Sequence, residues 1–246
     1  MRNIKMSLQF EGTRYSGWQR LSENDNTIQG KLEDLLSRMT EEDINVIGCS
    51  RTDKGVHAKS LMCNFFTKSK MKTPEMLSYI NYYLPEDIRV TYMAEAGSKF
   101  HARHNAKSKT YKYTIDNGEY CDVFTRRFAS YVKGDLDIKL MEKAADYIIG
   151  THDFDAFTTM KSKKKSCVRT INSISIAKKD SYIYITYDGD GFLHNMIRII
   201  TGTLLRVGKG ELVPEDVAKI LQSKDRSLAG PMAESKGLCL IQVNYN

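Results

Sequence analysis

The stretch INVIGCSRTDKGVHAKSLMCNFF, residues 44–66, places a polar loop between two apolar runs. The runs at 44–47 and 61–66 and the glycine in the loop predict two strands joined by a turn. Within the loop, Arg51 lies two residues before Asp53. A carboxylate held beside an arginine stays ionised and can act as a nucleophile or general base. The alternative is a surface turn without chemistry, because Asp-Lys-Gly is a common turn sequence.

The elements around this stretch follow one order twice. Alternating apolar residues predict strands, and apolar residues at helical spacing predict helices. The first half gives strand, helix, strand, strand, helix, strand at 4–10, 28–39, 44–49, 61–66, 73–84 and 88–93. The second half repeats the order at 109–115, 138–149, 171–176, 182–187, 192–207 and 238–243, with an added strand at 128–132 and a short helix at 214–221.

This repeated βαββαβ order is the ferredoxin-like pattern. Thr27 is a suitable N-cap for the first helix, and Pro74 suits the first turn of the second. We therefore predict an α+β fold with two ferredoxin-like halves, residues 1–104 and 105–246. A cleft is expected between the halves, and ligands prefer such junctions.

The composition describes an ordinary globular chain with a basic excess. Of 246 residues, 41% are hydrophobic and 27% charged, and the net charge is +7. No apolar run approaches the roughly 20 residues of a membrane helix, and no signal peptide is apparent, so we expect a cytoplasmic protein without membrane contact. The charge favours nucleic acid as partner. The run at 161–165, with Lys163 and Lys164, predicts phosphate contacts or, alternatively, a solvated charged loop.

Two further side chains are unusual for their predicted surroundings. Arg198 lies on a helix that is apolar nearly all round, so it needs a carboxylate partner or must extend its head to water. Tyr111 lies among lysines on a strand, which suits stacking on an unpaired base, although a half-buried strand tyrosine is the alternative. His194 is expected to be a satisfied hydrogen-bonding residue. No phosphate-loop, dinucleotide, HExxH or cysteine–histidine metal motif occurs, so the chemistry left is cofactor-free and metal-free and is centred on Asp53.

Six ordered sequence blocks carry a resemblance to a known family. Arg51–Ala58, RTDKGVHA, resembles the RTDxGVHA signature of the TruA family of tRNA pseudouridine synthases. The other blocks that resemble family motifs are 10–19 (YDGTxYxGWQ), 84–88 (LPxDI), 100–113 (FxARxxAxxKxYxY), 191–202 (GFLxxMVRxxxG) and 229–238 (AGxTAPxxGLxL).

The resemblance implies a pseudouridine synthase fold and a homodimer that converts uridine to pseudouridine in the tRNA anticodon stem-loop, at positions 38–40, without a cofactor. By position in the motifs, it implies that Asp53 is the catalytic aspartate, Tyr111 the active-site tyrosine and Arg198 the basic partner of the aspartate. It also implies that Arg51 helps to displace the target base. His57 and Arg103 are expected to bind the RNA, together with the two lysines of the basic run.

The chain departs from the family pattern at Ser50, at Lys54 and at 232–236. None of these departures replaces a residue that the resemblance implies to be catalytic, but they leave open which uridines are modified. Two alternatives therefore stand beside the main prediction. One is a paralogue that acts at other RNA positions, and the other is a catalytically silent protein that binds or folds tRNA.

Overall fold

The computed structural model describes residues 1–21, 26–160 and 166–245. Strands and helices alternate along these residues, which confirms the predicted α+β class. In chain order the elements are β1 (Arg2–Phe10), α1 (Ile28–Thr40), β2 (Ile47–Gly48), β3 (His57–Thr67), α2 (Thr73–Tyr83), β4 (Ile88–Ala96), β5 (Ser108–Asp116), β6 (Ser130–Tyr131), α3 (Ile138–Asp146), β7 (Gly150–Asp153), β8 (Val168–Lys179), β9 (Tyr182–Gly189), α4 (Met196–Gly208), α5 (Pro214–Ser223) and β10 (Leu238–Asn244).

Packing divides the chain into two compact units. Unit 1 comprises Met1–Lys107 and Cys239–Asn246, and unit 2 comprises Ser108–Leu238. The division of the sequence between 104 and 105 stays a prediction about folding domains. Among the helices of the described ranges, none has the length and apolar character needed to cross a membrane.

The sheet of unit 1 has the order β4-β1-β3-β10, and the short strand β2 also pairs with β3. Strand β1 is antiparallel to both of its neighbours, whereas β10 is parallel to β3. The register of β1 against β3 shifts between Leu8 and Phe10, opposite the first residues of β3. An irregularity of this kind bends a strand and re-aims the chain beside it. It lies next to the polar loop that carries Asp53.

The first helix and strand form where the sequence predicts them. Alternate residues of β1, Ile4, Met6 and Leu8, are fully buried, as the apolar alternation requires. The hydroxyl oxygen of Thr27 accepts a hydrogen bond from the Gly30 N–H at 3.1 Å. This confirms the predicted N-cap, which satisfies one of the unpaired donors at the start of α1.

The sheet of unit 2 has the order β5-β9-β8-β7, with β6 paired to β5. Tyr111 of β5 lies opposite Tyr187 of the antiparallel strand β9. The Tyr187 hydroxyl lies 2.8 Å from the Thr201 hydroxyl of α4. A buried phenol needs such a partner, so this contact connects the apolar helix to the sheet it covers.

Several predicted elements differ from the structure. The strand predicted at 128–132 is regular only over β6, and the helix predicted at 138–149 ends at Asp146. The strand predicted at 44–49 is regular only over β2. The helix predicted from residue 192 begins at Met196, because Asn195 adopts a left-handed conformation with φ of 61° at the N-cap and ends the preceding loop. Strand β7, with the sequence GTHD, is absent from the prediction because it is short and lacks apolar alternation.

Candidate active site

The loop between β2 and β3 carries Asp53 on a tight turn. The Val56 N–H donates to the Asp53 carbonyl oxygen at 3.1 Å. Gly55 sits at the third position of this turn with φ of 80°. That backbone conformation is the one a type II turn requires, and glycine adopts it without strain. Residues 53–56 therefore form the turn that the sequence predicts, and its hydrogen bond fixes the backbone that carries the Asp53 carboxylate.

A second segment, which follows β1, holds the other side of the loop. The Trp18 N–H donates to the Thr52 carbonyl oxygen at 3.0 Å. Two glycines make this approach possible, since a Cβ on Gly12 would lie 2.0 Å from the Val56 carbonyl oxygen and one on Gly17 would lie 2.6 Å from that of Thr52. The backbone of the loop is thus packed directly against a neighbouring backbone.

His57 takes part in the same contact. It is 4% exposed, and its Nδ1 accepts a hydrogen bond from the Gly12 N–H at 3.0 Å. An accepting ring nitrogen carries no proton, so this geometry assigns a neutral imidazole. The observed contact positions the backbone of Gly12, while the RNA-binding role expected for His57 stays a prediction.

The only tryptophan is a buried anchor. Trp18 is 2% exposed, and its ring lies against Gly48, where an added Cβ would come within 2.6 Å of it. Indole burial in such a close fit contributes a large apolar area to the core. The ring therefore stabilises the base of the Asp53 loop from inside unit 1.

The segment after β1 is also tied to the start of β4. The Tyr15 hydroxyl donates to Asp87 Oδ1 at 2.6 Å, and the Arg14 guanidinium lies 2.7 Å from Asp87 Oδ2. Burial raises the pKa of Tyr15, and the hydrogen bond to the Asp87 carboxylate raises it further. Two of the recognised sequence blocks, 10–19 and 84–88, thus serve to hold each other.

Side chains in the loop differ in their access to solvent. Arg51 is exposed and Asp53 is half-buried, whereas Thr52 between them is 7% exposed. A half-buried carboxylate on a rigid turn is oriented yet accessible, which is the arrangement that nucleophiles and general bases need.

In unit 2, Tyr111 is more enclosed than a stacking platform would be. It is 5% exposed, and its ring meets that of Phe192 edge-on, with centroids 5.2 Å apart at 82°. Of the two interpretations of Tyr111 from its spacing, burial on the strand agrees with this environment. A role beside the reacting base stays a prediction.

Arg198 is half-buried and its guanidinium is fixed within unit 2. Nε donates to the Ala233 carbonyl oxygen at 2.8 Å, and Nη1 donates to Asn195 Oδ1 at 3.0 Å. Its charge also lowers the pKa of Tyr113, although burial dominates and raises that pKa to about 12. These two hydrogen bonds hold the guanidinium in one place. An arginine that only extends its head group to water would not need such bonds. Pairing with Asp53 stays a prediction.

Sequence reasoning missed the role of Glu234, in the segment that departs from the family pattern. Its carbonyl oxygen accepts from the Tyr113 hydroxyl at 2.8 Å, and its carboxylate accepts from the Ser130 hydroxyl and pairs with Lys236. The segment is therefore fixed by its own contacts. No motif signals them, because backbone acceptance needs no particular residue type.

His194 is hydrogen bonded as expected. Its Nδ1 lies 2.9 Å from the Thr159 hydroxyl, which also accepts from the Asn195 side-chain amide at 2.8 Å. These bonds fix the turn that precedes α4, the helix that carries Arg198. The basic run with Lys163 and Lys164 lies outside the described residues.

Arg103 is exposed on a turn that its neighbours hold. Nδ1 of His101 accepts from the backbone N–H groups of Arg103 and His104, both at 3.2 Å. Partial burial and the nearby His104 lower the pKa of His101, so the ring stays an acceptor near neutral pH. The Arg103 side chain thus projects from a fixed backbone, and its RNA contact stays a prediction. Within the described ranges, no group of three or more His, Cys, Asp or Glu side chains could hold a metal ion.

Comparisons with known proteins define the family. A family model described as tRNA pseudouridine synthase matches residues 6–105 and 144–246. The chain belongs to this family, whose members are isomerases that act on tRNA, and the predicted family and enzyme class are confirmed.

The chain is similar along its whole length to curated relatives. It is 44% identical to "tRNA pseudouridine synthase A 2" of Bacillus cereus (strain ZK / E33L) and 47% identical to "tRNA pseudouridine synthase A 1" of Clostridium tetani (strain Massachusetts / E88), in each case over 245 residues and 100% of both chains. A solved structure titled "Crystal Structure of a Cbf5-Nop10-Gar1 Complex" matches 96% of this chain and 48% of its own, at 7% identity and a TM-score of 0.38, which is too distant to support an argument.

Proposed function

We propose that this protein converts uridine to pseudouridine at positions 38–40 of the tRNA anticodon stem-loop and that Asp53 is the essential carboxylate. One observation carries the proposal: Asp53 is half-buried on a turn that is held by hydrogen bonds on both sides, inside the region that matches the family model. The full-length similarity to proteins named tRNA pseudouridine synthase A supports the choice of substrate.

The reaction is an isomerisation, so the atoms balance without a co-reactant. The bond from ribose C1′ to N1 breaks and N1 keeps the electron pair. The base turns, a bond forms between C1′ and C5, the C5 proton leaves and N1 is protonated. A fixed carboxylate can serve at the ribose or at the base, by attack or by taking a proton. We assign this task to Asp53, and we assign the remaining work at the base to Tyr111 and Arg198.

The substrate must be brought out of its stem before it can react. Extrusion of a nucleotide from a paired stem costs a few kcal/mol, which phosphate contacts and stacking offset. The net charge of +7 supports such contacts. We assign Arg51, exposed beside Asp53, to the displaced base, and we propose that the enzyme works in the cytoplasm as a homodimer.

Pseudouridine mapping tests the substrate. Unmodified tRNA transcripts that carry uridine at positions 38, 39 and 40 are incubated with the protein, and pseudouridine is located by carbodiimide adducts and primer extension. We expect signals at these positions and none where each uridine is replaced by cytidine. Signals only at other positions would favour the paralogue, and a complete lack of product with intact tRNA binding would favour a silent binding protein.

Asp53→Asn tests the assigned carboxylate. The change removes the charge and keeps the shape, so we expect turnover to fall on the order of 10³-fold or more, with tRNA affinity within a few-fold of wild type. Asp43→Asn, at an exposed position of the same unit, is the matched control and should leave turnover unchanged. Substantial turnover by Asp53→Asn would disprove the assignment.

A further inference from the structure

The hydroxyl of Thr52 is the one buried side-chain polar atom within the described ranges that has no hydrogen-bond partner. The residue is 7% exposed and directly precedes Asp53. Its backbone carbonyl oxygen accepts a hydrogen bond from the Trp18 N–H, so the unpartnered group is a side-chain atom on an otherwise anchored residue. Buried polar groups are nearly always paired, and an exception at a functional loop calls for an explanation.

A purely structural requirement at this position would not select threonine. Valine has nearly the same shape and carries no hydroxyl to desolvate, so it would fill the space without the cost of an unmade hydrogen bond. Elsewhere, buried threonines are paired: the hydroxyls of Thr67, Thr201 and Thr203 each donate, to Glu42, the Ile197 carbonyl and the Ile199 carbonyl. The fold thus satisfies buried threonines as a rule, and Thr52 is the exception.

We propose that Thr52 is a positioning residue whose hydroxyl donates a hydrogen bond to the Asp53 carboxylate when a uridine is bound. This inference rests on the proposed function of Asp53. A carboxylate has about four acceptor positions, so it can take a further donor beside those it already has. A hydrogen bond to an ionised acceptor is stronger than a neutral one and fixes the orientation of the carboxylate.

The position of the hydroxyl favours Asp53 over the RNA as its partner. The oxygen is closed off from solvent, so a group of the substrate could reach it only after the loop had opened. The loop is held at the Thr52 carbonyl and at Val56, which opposes opening. The half-buried Asp53 side chain is the next one along the chain, so its carboxylate is the acceptor nearest in sequence to the Thr52 hydroxyl.

Three variants test this proposal: Thr52→Val, Thr52→Ser and the control Thr67→Val. For each, Tm, kcat and the KM for tRNA are measured beside wild type and Asp53→Asn. We expect Thr52→Val to keep or raise Tm, lower kcat roughly 10- to 100-fold and leave KM within threefold. Thr52→Ser restores the hydroxyl and should recover kcat to within about threefold of wild type. Thr67→Val removes a paired hydroxyl and should lower Tm with kcat unchanged.

The outcomes separate this inference from the proposed function. An active wild type with an inactive Asp53→Asn supports the proposed function, and Thr52→Val then decides the inference. Wild-type kcat in Thr52→Val overturns it, as does a rise in KM alone, which would place the hydroxyl on the RNA. A fall in Tm like that of Thr67→Val also overturns it. If wild type forms no pseudouridine, the proposed function fails and the inference falls with it.

Discussion

A buried threonine lies near each end of strand β3. Thr67 is the last residue of the strand, and Thr52 lies in the loop before its first residue. The Thr67 hydroxyl donates to the Glu42 carboxylate and accepts from the Ser69 N–H, and Glu42 accepts further backbone N–H groups. The Thr52 hydroxyl has no partner among the described residues. At the Thr67 end the buried side chains are hydrogen bonded. At the Asp53 end the Thr52 hydroxyl lacks a partner in the described part of the chain, and the loop is held by backbone hydrogen bonds and by the His57 ring.

This difference shows that the backbone of a loop can be fixed while one of its side-chain donors, here the Thr52 hydroxyl, remains available for a further hydrogen bond. The backbone of the Asp53 loop is fixed by a turn, by the Trp18 N–H and by the close approach of Gly12. Under the proposed role of Asp53, a backbone fixed in this way reduces the reorganisation needed at the moment of reaction. The substitutions below each alter the contacts at one end of strand β3.

Among the changes that alter the packing at either end of β3, the largest effect is expected from Gly12→Ala, which disrupts the backbone packing at the Asp53 end. The new Cβ would lie 2.0 Å from the Val56 carbonyl oxygen, so the loop must shift. Because a displacement of about 1 Å can cost 10²-fold in rate, kcat/KM should fall on the order of 100-fold.

Gly97→Ala is the matched control for this change. Nothing lies within 4 Å of a Cβ at Gly97, so activity should be unchanged and stability should rise by about 0.4–1 kcal/mol. Normal kcat/KM in Gly12→Ala would show that the loop does not need its backbone contact.

A smaller effect, on stability alone, is expected from Glu42→Gln at the other end of β3. The amide cannot accept all the hydrogen bonds that the carboxylate accepts from Thr67, Lys68 and Ser69. Thermal unfolding should show a Tm lower by a few degrees, with kcat and KM unchanged. The exposed neighbour Glu41 provides the control, since Glu41→Gln should leave Tm in place. A loss of kcat in Glu42→Gln would mean that the two ends are coupled.

The smallest effect is a pH dependence of that stability difference. The Thr67 hydroxyl, followed by the backbone N–H groups of Lys68 and Ser69, holds the pKa of Glu42 below its usual range. Folding therefore favours the ionised carboxylate, and its contribution is present above the unfolded pKa near 4.5 and lost as pH falls through the lower folded pKa. The Tm difference between wild type and Glu42→Gln should shrink between pH 6 and pH 3. A constant difference across that range would show that ionisation of Glu42 plays no part.

The elements of the fold followed well from the sequence where the signal is local. The Thr27 cap and the helix that begins at Thr73 lie where predicted, because capping and helical periodicity depend on a few consecutive residues. The predicted start of α4 was wrong by four residues, because the apolar pattern gives no sign of the left-handed backbone of Asn195. The short strand β7 was missed because its four residues, GTHD, show no apolar alternation.

The sequence by itself determined the α+β class, the family and the position of Asp53 on a loop, because motif blocks and periodicity are written in consecutive residues. Only the tertiary structure decided that Gly12 must be glycine, that His57 accepts a backbone hydrogen bond, and that the Thr52 hydroxyl finds no partner among residues 1–21, 26–160 and 166–245. Each of these facts depends on how segments far apart in the chain meet. Close approach and hydrogen-bond satisfaction are properties of that meeting, and no local pattern encodes them.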